Sequence, residues 1–237
     1  MYKVSILTSI YNGSKYLESF LDNISKQTIF DDCQLCVISA LGPDRAEEEK
    51  ILGQYLHLPN IRYIKLDSRI GIYNCWNIGI RETDSQYITN ANVDDKIYPQ
   101  CLEIHADLLD NEPNIDVAYC LNLEVDNFDL DNITNAFIYP TANFSKELLL
   151  QANLPHNHPV WRRSLHDSYG YFNEVDYVSG SDWEFWLRCA AGGAQMKLIR
   201  EVLGIYYRNP EGVSSDAKNL KRNLEEIDRI RNLYRNK

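Results

Sequence analysis

Residues 3–24 read KVSILTSIYNGSKYLESFLDNI. The stretch to Ile10 is dense in apolar and β-branched residues, which suit a pleated, buried strand. Tyr11-Asn12-Gly13 then gives a turn signal, and Ser14 is a residue type that caps helices. Leu17, Phe20, Leu21 and Ile24 follow at helical spacing, so one face of that helix is apolar. Strand, tight turn and amphipathic helix within 22 residues form the first half of a βαβ unit.

The same alternation continues outward. Residues 34–39 (QLCVIS) read as a second buried strand, and Pro43 opens a charged helix, DRAEEEKILGQYL. A third strand (61–66, IRYIKL), a helix from Gly71 to Arg81 and a fourth strand (86–90, QYITN) follow. After Pro99 come a helix, QCLEIHADLLDN, and a strand, IDVAYCLNL. Repeated strand and helix with short connections predict an α/β domain with a parallel sheet covered by helices. In such sheets ligands bind outside the carboxyl ends of the strands. That singles out Ser9–Asn12, Ser39–Leu41 and Ala91–Asp95. Residues 122–160 are less regular. Asp126, Asp129 and Asp131 there lack the glycine and glutamate of an EF-hand loop and read as a solvated acidic loop. SDWEFWLRCA (181–190) reads as a helix. DAKNLKRNLEEIDRIRNLYRNK (216–237) reads as a helix docking through Leu220, Leu224, Ile227, Ile230 and Leu233.

The chain has 237 residues and a formal net charge of −10. That balance argues against nucleic acid as a partner, because phosphate backbones need an excess of Lys and Arg. It leaves room for an anionic small ligand neutralised by a metal. The start, MYKVSILTSI, reads as a strand and not a signal peptide. No apolar run approaches the roughly 20 residues that span a bilayer. The expected setting is the cytosol, with any membrane contact peripheral. Among six scattered cysteines, Cys33 and Cys36 form a C-x-x-C. No second Cys pair or clear Cys/His pair is spaced to complete a zinc site, so reduced, partly buried thiols are expected.

The strongest local signal is Asn90-Ala91-Asn92-Val93-Asp94-Asp95. Two adjacent carboxylates at a strand end repel each other unless a cation compensates them. Mg²⁺ or Mn²⁺ accepts few protein carboxylates and completes its shell with phosphate oxygens and water. Read alone, the pair serves equally as an Asp-Asp turn before the helix after Pro99. A second signal is Asp182 within Ser181-Asp182-Trp183-Glu184-Phe185-Trp186. An acid among aromatic rings suits a sugar site and could act as a base, and it equally suits a helix N-terminus.

Three segments together carry a resemblance. VSILTSIYNGSKYLESFLDNISKQT, GIYNCWNIGIRETDSQYITNANVDD and SDWEFWLRCA resemble, in this order, motifs of the GT-A fold, family 2 glycosyltransferases. GYFNEVDYVSGSDWEFWLR and VLGIYYRNPEGVSS resemble that family's acceptor-side half. The resemblance runs from Lys3 to about Ser215. It implies a GT-A, Rossmann-like, mostly parallel sheet in a single domain over 1–237. About 1–120 would bind the nucleotide sugar, about 121–215 the acceptor, and about 216–237 would form the C-terminal helix. The implied activity is metal-dependent, inverting transfer of a sugar from a nucleoside-diphosphate donor to an acceptor hydroxyl.

Carried over, the resemblance places Ser9, Tyr11, Asn12 and Ser39 around the nucleotide, and Gly71 and Asn77 on a pocket-forming segment. Asp94 and Asp95 bind the metal (Mn²⁺ or Mg²⁺) and the ribose-diphosphate region, with Asp95 the favoured ligand. Asn92 stands where many relatives have Asp. Asp182 is the candidate general base. His156, His158, Glu184 and Arg208 are further candidates for substrate contact, with Arg162, Arg163 and Tyr207 near them. His57, His105 and His166 are expected to be surface or satisfied residues. Two departures stand out: Ser39-Ala40-Leu41-Gly42 replaces an Asp-Asp-Gly-Ser strand end, and Ser181 replaces a Glu. A nucleotidyltransferase would need a glycine-rich loop after the first strand, whereas Tyr11-Asn12-Gly13-Ser14 has one glycine. A sugar- or partner-binding protein of the same fold without turnover is the other alternative.

Overall fold

In the computed structural model, residues 1–128 and 135–235 are described. Asp129 and Asp131 of the expected acidic loop lie outside them. Four parallel strands form the first half of one sheet: β1 (Tyr2–Ile10), β2 (Cys33–Ser39), β3 (Ile61–Lys65) and β4 (Ser85–Asn90), ordered β3-β2-β1-β4. The connecting helices are α1 (Ser14–Ile24), α2 (Arg45–Gly53) and α3 (Ile72–Glu82). The elements read from periodicity in this half are all present. The charged helix is shorter than its sequence pattern, ending at Gly53.

The second half departs from parallel pairing. It comprises β5 (Lys96–Ile97), α4 (Cys101–Asn111), β6 (Val117–Val125), β7 (Ala136–Ile138), α5 (Lys146–Gln151), β8 (Val160–Arg162), α6 (Ser164–Tyr169), α7 (Ser181–Ala191), β9 (Met196–Tyr207) and α8 (Leu220–Tyr234). β8 inserts antiparallel between β4 and β6, β6 runs parallel to β9, and β5 closes the edge antiparallel to β9. The last pairing matters for function. It ties the segment just after Asp94 and Asp95 to Gly204 and Ile205, and so sets the acidic pair beside the end of β9.

Side chains alternate between the two sheet faces with a period of two. On β1, Val4, Ile6 and Ile10 join one core with α1, α2 and α4, while Leu7 joins the other with α3, α7 and α8. The C-x-x-C obeys the same rule. Cys33 and Cys36 are buried on opposite faces, in different cores. They cannot share one ion, and burial pushes both thiols up to about 12.

The C-terminal helix docks through part of the expected face, at Ile227 and Ile230, but not through its three leucines. Leu220, Leu224 and Leu233 are exposed, whereas Glu226, Ile230 and Tyr234 are buried and Ile227 is half-buried. Glu226 is buried for a specific reason. Its carboxylate accepts the backbone N–H groups of Val178, Ser179 and Gly180, each at 3.0 Å, and the Ser179 hydroxyl. Three convergent N–H donors hold a carboxylate in a buried position that hydropathy alone would assign to an apolar residue.

Candidate active site

A cleft of about 980 Å³ opens at the carboxyl edge of the parallel strands. Its walls come from the turn after β1, the loop after β4, the segment before β8, the start of α7 and the end of β9. Ser9, Tyr11 and Asn12 line one end. Asn12 has φ 53°, the left-handed region that Asn tolerates better than most residues. The Arg69 guanidinium lies 4.2 Å from the centre of the Tyr11 ring, stacking a cation on this wall. Ser39 does not reach the cleft. It is buried, and its hydroxyl donates to Glu48 at 3.2 Å, leaving Ala40 as the lining residue. Glu48 also accepts the Gly13 N–H at 2.9 Å, so this carboxylate braces the turn after β1 from beneath.

Asp94 faces the cleft, and Asn209 Nδ2 donates to its Oδ2 at 2.8 Å. Asp95 lies behind it, 3% exposed. Asp95, expected to be the favoured metal ligand, therefore does not itself line the cleft. It accepts from the Tyr207 N–H at 3.0 Å, from Asn92 Nδ2 at 3.0 Å and from Asn157 Nδ2 at 3.3 Å. Asn92 thus acts as a neutral donor where a third acid would add to the repulsion. Burial raises both carboxyls, and Asp94 pushes Asp95 further. Among the described residues no Lys or Arg pairs with either; Lys15 contributes only a more distant charge. Two adjacent, partly desolvated carboxylates lacking a cationic partner fit a hard divalent ion, which would supply the missing charge.

Asp182 sits at the start of α7 on the same cleft. Tyr73 hydroxyl donates to its Oδ1 and Asn153 Nδ2 to its Oδ2, each at 2.8 Å. Burial raises its pKa, and these two hydrogen bonds offset part of the rise. Trp183 and Trp186 line the wall beside it, with the Trp183 indole anchored to the Leu149 carbonyl at 2.7 Å. Glu226 holds the backbone just before α7, so it positions Asp182 without touching it. Glu226→Ala should strand the three N–H groups. We expect it to cost roughly 1–3 kcal/mol of stability, read as a lowered Tm, and to reduce activity by displacing Asp182.

The remaining candidates divide. His156 lines the cleft, stacked on Tyr139 with ring centres 4.3 Å apart, and burial lowers its pKa to about 4. It is therefore neutral at pH 7. Gly71 and Tyr207 also line the cleft. Asn77 is buried away from it, clamping Phe172 through both its amide groups. His158 is buried against Asn122, 2.9 Å from Oδ1. Glu184 is buried in an ion pair with Arg188 and accepts from the Tyr234 hydroxyl, so it joins α7 to α8. Arg208 pairs with Glu124. Arg162 donates to the carbonyls of Leu109 and Glu112 at the end of α4, and Arg163 to that of Ile80 in the last turn of α3. Helix C-termini carry unsatisfied carbonyls and partial negative charge, which accounts for both arginines. Sequence reasoning missed Tyr73, Asn153, Asn209 and Arg69. Their partners lie far along the chain, and only proximity to flagged motifs could have suggested them.

A family model described as glycosyl transferase family 2 matches residues 5–168. The chain belongs to this family. Family members similar in sequence include an uncharacterized glycosyltransferase of Methanocaldococcus jannaschii, 23% identical over 99% of this chain and 80% of its own length. Another, from Bacillus subtilis, is 25% identical over 96% of this chain and 82% of its own. Escherichia coli chondroitin synthase is 25% identical, with 92% of this chain matching 30% of that one. Among solved structures, S. aureus TarS 1-349 in complex with UDP superposes with TM-score 0.74 at 17% identity, covering 98% of this chain and 65% of that chain. A Pyrobaculum calidifontis mannosyltransferase in complex with GDP-Man and Mn²⁺ superposes with TM-score 0.69 at 14% identity, covering 97% and 65%. These two likenesses show the GT-A fold.

Proposed function

We propose that the cleft transfers a sugar, with inversion, from a nucleoside-diphosphate donor to an acceptor hydroxyl. The observation that carries this reading is a cleft lined by Asp94, with Asp95 buried directly behind it and no Lys or Arg among the described residues paired with either, and by a separate oriented carboxylate, Asp182. The relatives support it: TarS structures hold UDP or UDP-GlcNAc, and the mannosyltransferase holds GDP-Man with Mn²⁺. Likeness to chondroitin synthase supports a carbohydrate acceptor.

In this mechanism the nucleotide base packs against the Ser9–Asn12 wall, where the Tyr11 ring and Arg69 offer a flat surface. Asp94 and Asp95 would hold Mn²⁺ or Mg²⁺, which would supply positive charge for the diphosphate leaving group. Tyr73 and Asn153 fix the Asp182 carboxylate. Asp182 takes the proton from the acceptor hydroxyl, and that oxygen bonds to the anomeric carbon as the bond to the diphosphate oxygen breaks. Trp183 and Trp186, buried behind the cleft wall, back the start of α7 on which Asp182 sits. The test is release of nucleotide from a panel of nucleoside-diphosphate sugars, with Mn²⁺ and with excess chelator. Metal-dependent release is expected; equal release in chelator would refute the metal assignment.

A further inference from the structure

His105 was expected to be a satisfied or surface residue, yet it is wholly buried on α4 and its Nε2 has no hydrogen-bond partner. Its Nδ1 lies 2.7 Å from the Cys101 carbonyl oxygen. That contact fixes the proton on Nδ1 and leaves the lone pair on Nε2. Cys101 and His105 stand four residues apart on one face of α4, and Cys120 approaches from β6. The two sulfurs and a ring nitrogen lie within 4.8 Å of one another. All three residues are at most 1% exposed, among apolar neighbours such as Leu102, Ala106 and Ala118.

Free cysteines pack well as small apolar groups, so the sulfurs alone need no explanation. The imidazole does, because an unpartnered buried polar nitrogen carries its full desolvation cost. We propose that Cys101, His105 and Cys120 supply three of the ligands of a bound Zn²⁺ ion, which normally takes four. Thiolate and imidazole suit this ion, and two sulfurs each ~2.3 Å from one zinc lie at most about 4.6 Å apart, close to the spacing present. Binding releases the two thiol protons. Two thiolates, a neutral imidazole and Zn²⁺ then sum to zero charge, which suits an apolar core. The Cys101 carbonyl on Nδ1 is the outer contact that orients a ligating histidine. The ion would pin α4 to β6 two residues before Asn122, whose amide donates to the carbonyls of His156 and Asn157 on the cleft wall. It is separate from the Asp94–Asp95 pair in both place and ligand type.

The test uses the untagged full chain expressed with added Zn²⁺ or Co²⁺ and dialysed against EDTA to strip carboxylate-bound ions. Stoichiometric zinc should remain, and the cobalt form should show sulfur-to-cobalt charge-transfer absorption, which carboxylate ligands cannot produce. Cys101→Ser and Cys120→Ser should each lose the zinc, whereas Cys189→Ser, another buried cysteine, should keep it. Wild-type protein without zinc and without that absorption would overturn the proposal, a readout that needs no variant to fold. Zinc retained undiminished in both Cys101→Ser and Cys120→Ser would overturn it as well.

Discussion

Asp182→Asn should lower kcat by on the order of 10²–10⁴-fold, the usual cost of removing a general base, while donor affinity stays near wild type. The amide has almost the shape of the carboxylate and is an equally good residue near a helix N-terminus. A purely structural role would therefore leave turnover unchanged. The pH profile gives a second readout. Burial raises the Asp182 pKa, and only the ionised form accepts a proton. Activity should thus fall as pH drops through that raised value, on an acid limb lying above the range of an ordinary Asp. The limb should be absent from the residual activity of Asp182→Asn. Near-normal turnover by the variant would end the assignment.

Asp94→Asn and Asp95→Asn should each cut metal-dependent turnover by about 10²-fold or more, the scale of losing an electrostatic partner for developing charge. Stability should move differently. Both carboxyls are raised in the folded protein, so between the unfolded and folded values the native state binds more protons than the unfolded state. The sign of linkage is then that their contribution to stability falls as pH rises through that window. Asp94→Asn removes one of the two repelling groups. At neutral pH without metal its Tm should equal or exceed that of wild type, and its Tm gain on adding Mn²⁺ should be lost. Asp95→Asn is the harsher change, since its new NH₂ must face either the Tyr207 N–H on the Oδ1 side or the Asn92 and Asn157 amides on the Oδ2 side. An Asp94→Asn protein that kept full metal-dependent turnover would refute the shared role of the pair.

The sheet was legible where local pattern and burial agree. The four parallel strands, and the α1 face of Leu17, Phe20, Leu21 and Ile24, follow from periods of two and 3.6. The antiparallel strand β8 was not legible. Its three residues carry no period, and it is placed by pairing with β4 and β6. Polar burial misled in the same way. Glu226 is inside because three distant N–H groups meet it, and Arg163 is spent on the end of α3, 83 residues from its Ile80 partner. Within the cleft, Asp94 and Asp182 could be named from motif and strand-end position. Tyr73 and Asn153, which orient Asp182 from 109 and 29 residues away, could not. Nor did the C-x-x-C spacing serve as a guide to metal. It puts Cys33 and Cys36 on opposite faces of a strand, whereas Cys101 and His105, four apart on a helix, meet Cys120 across the core.

The most direct measurement is a crystal structure with a nucleoside diphosphate and Mn²⁺, using manganese anomalous scattering to locate the ion. The manganese peak is expected at the Asp94–Asp95 carboxylates, in contact with the diphosphate, with the base against Tyr11 and Asp182 across the cleft from the phosphates. Manganese absent from that pair, or a nucleotide seated away from the Ser9–Asn12 wall, would contradict this assignment.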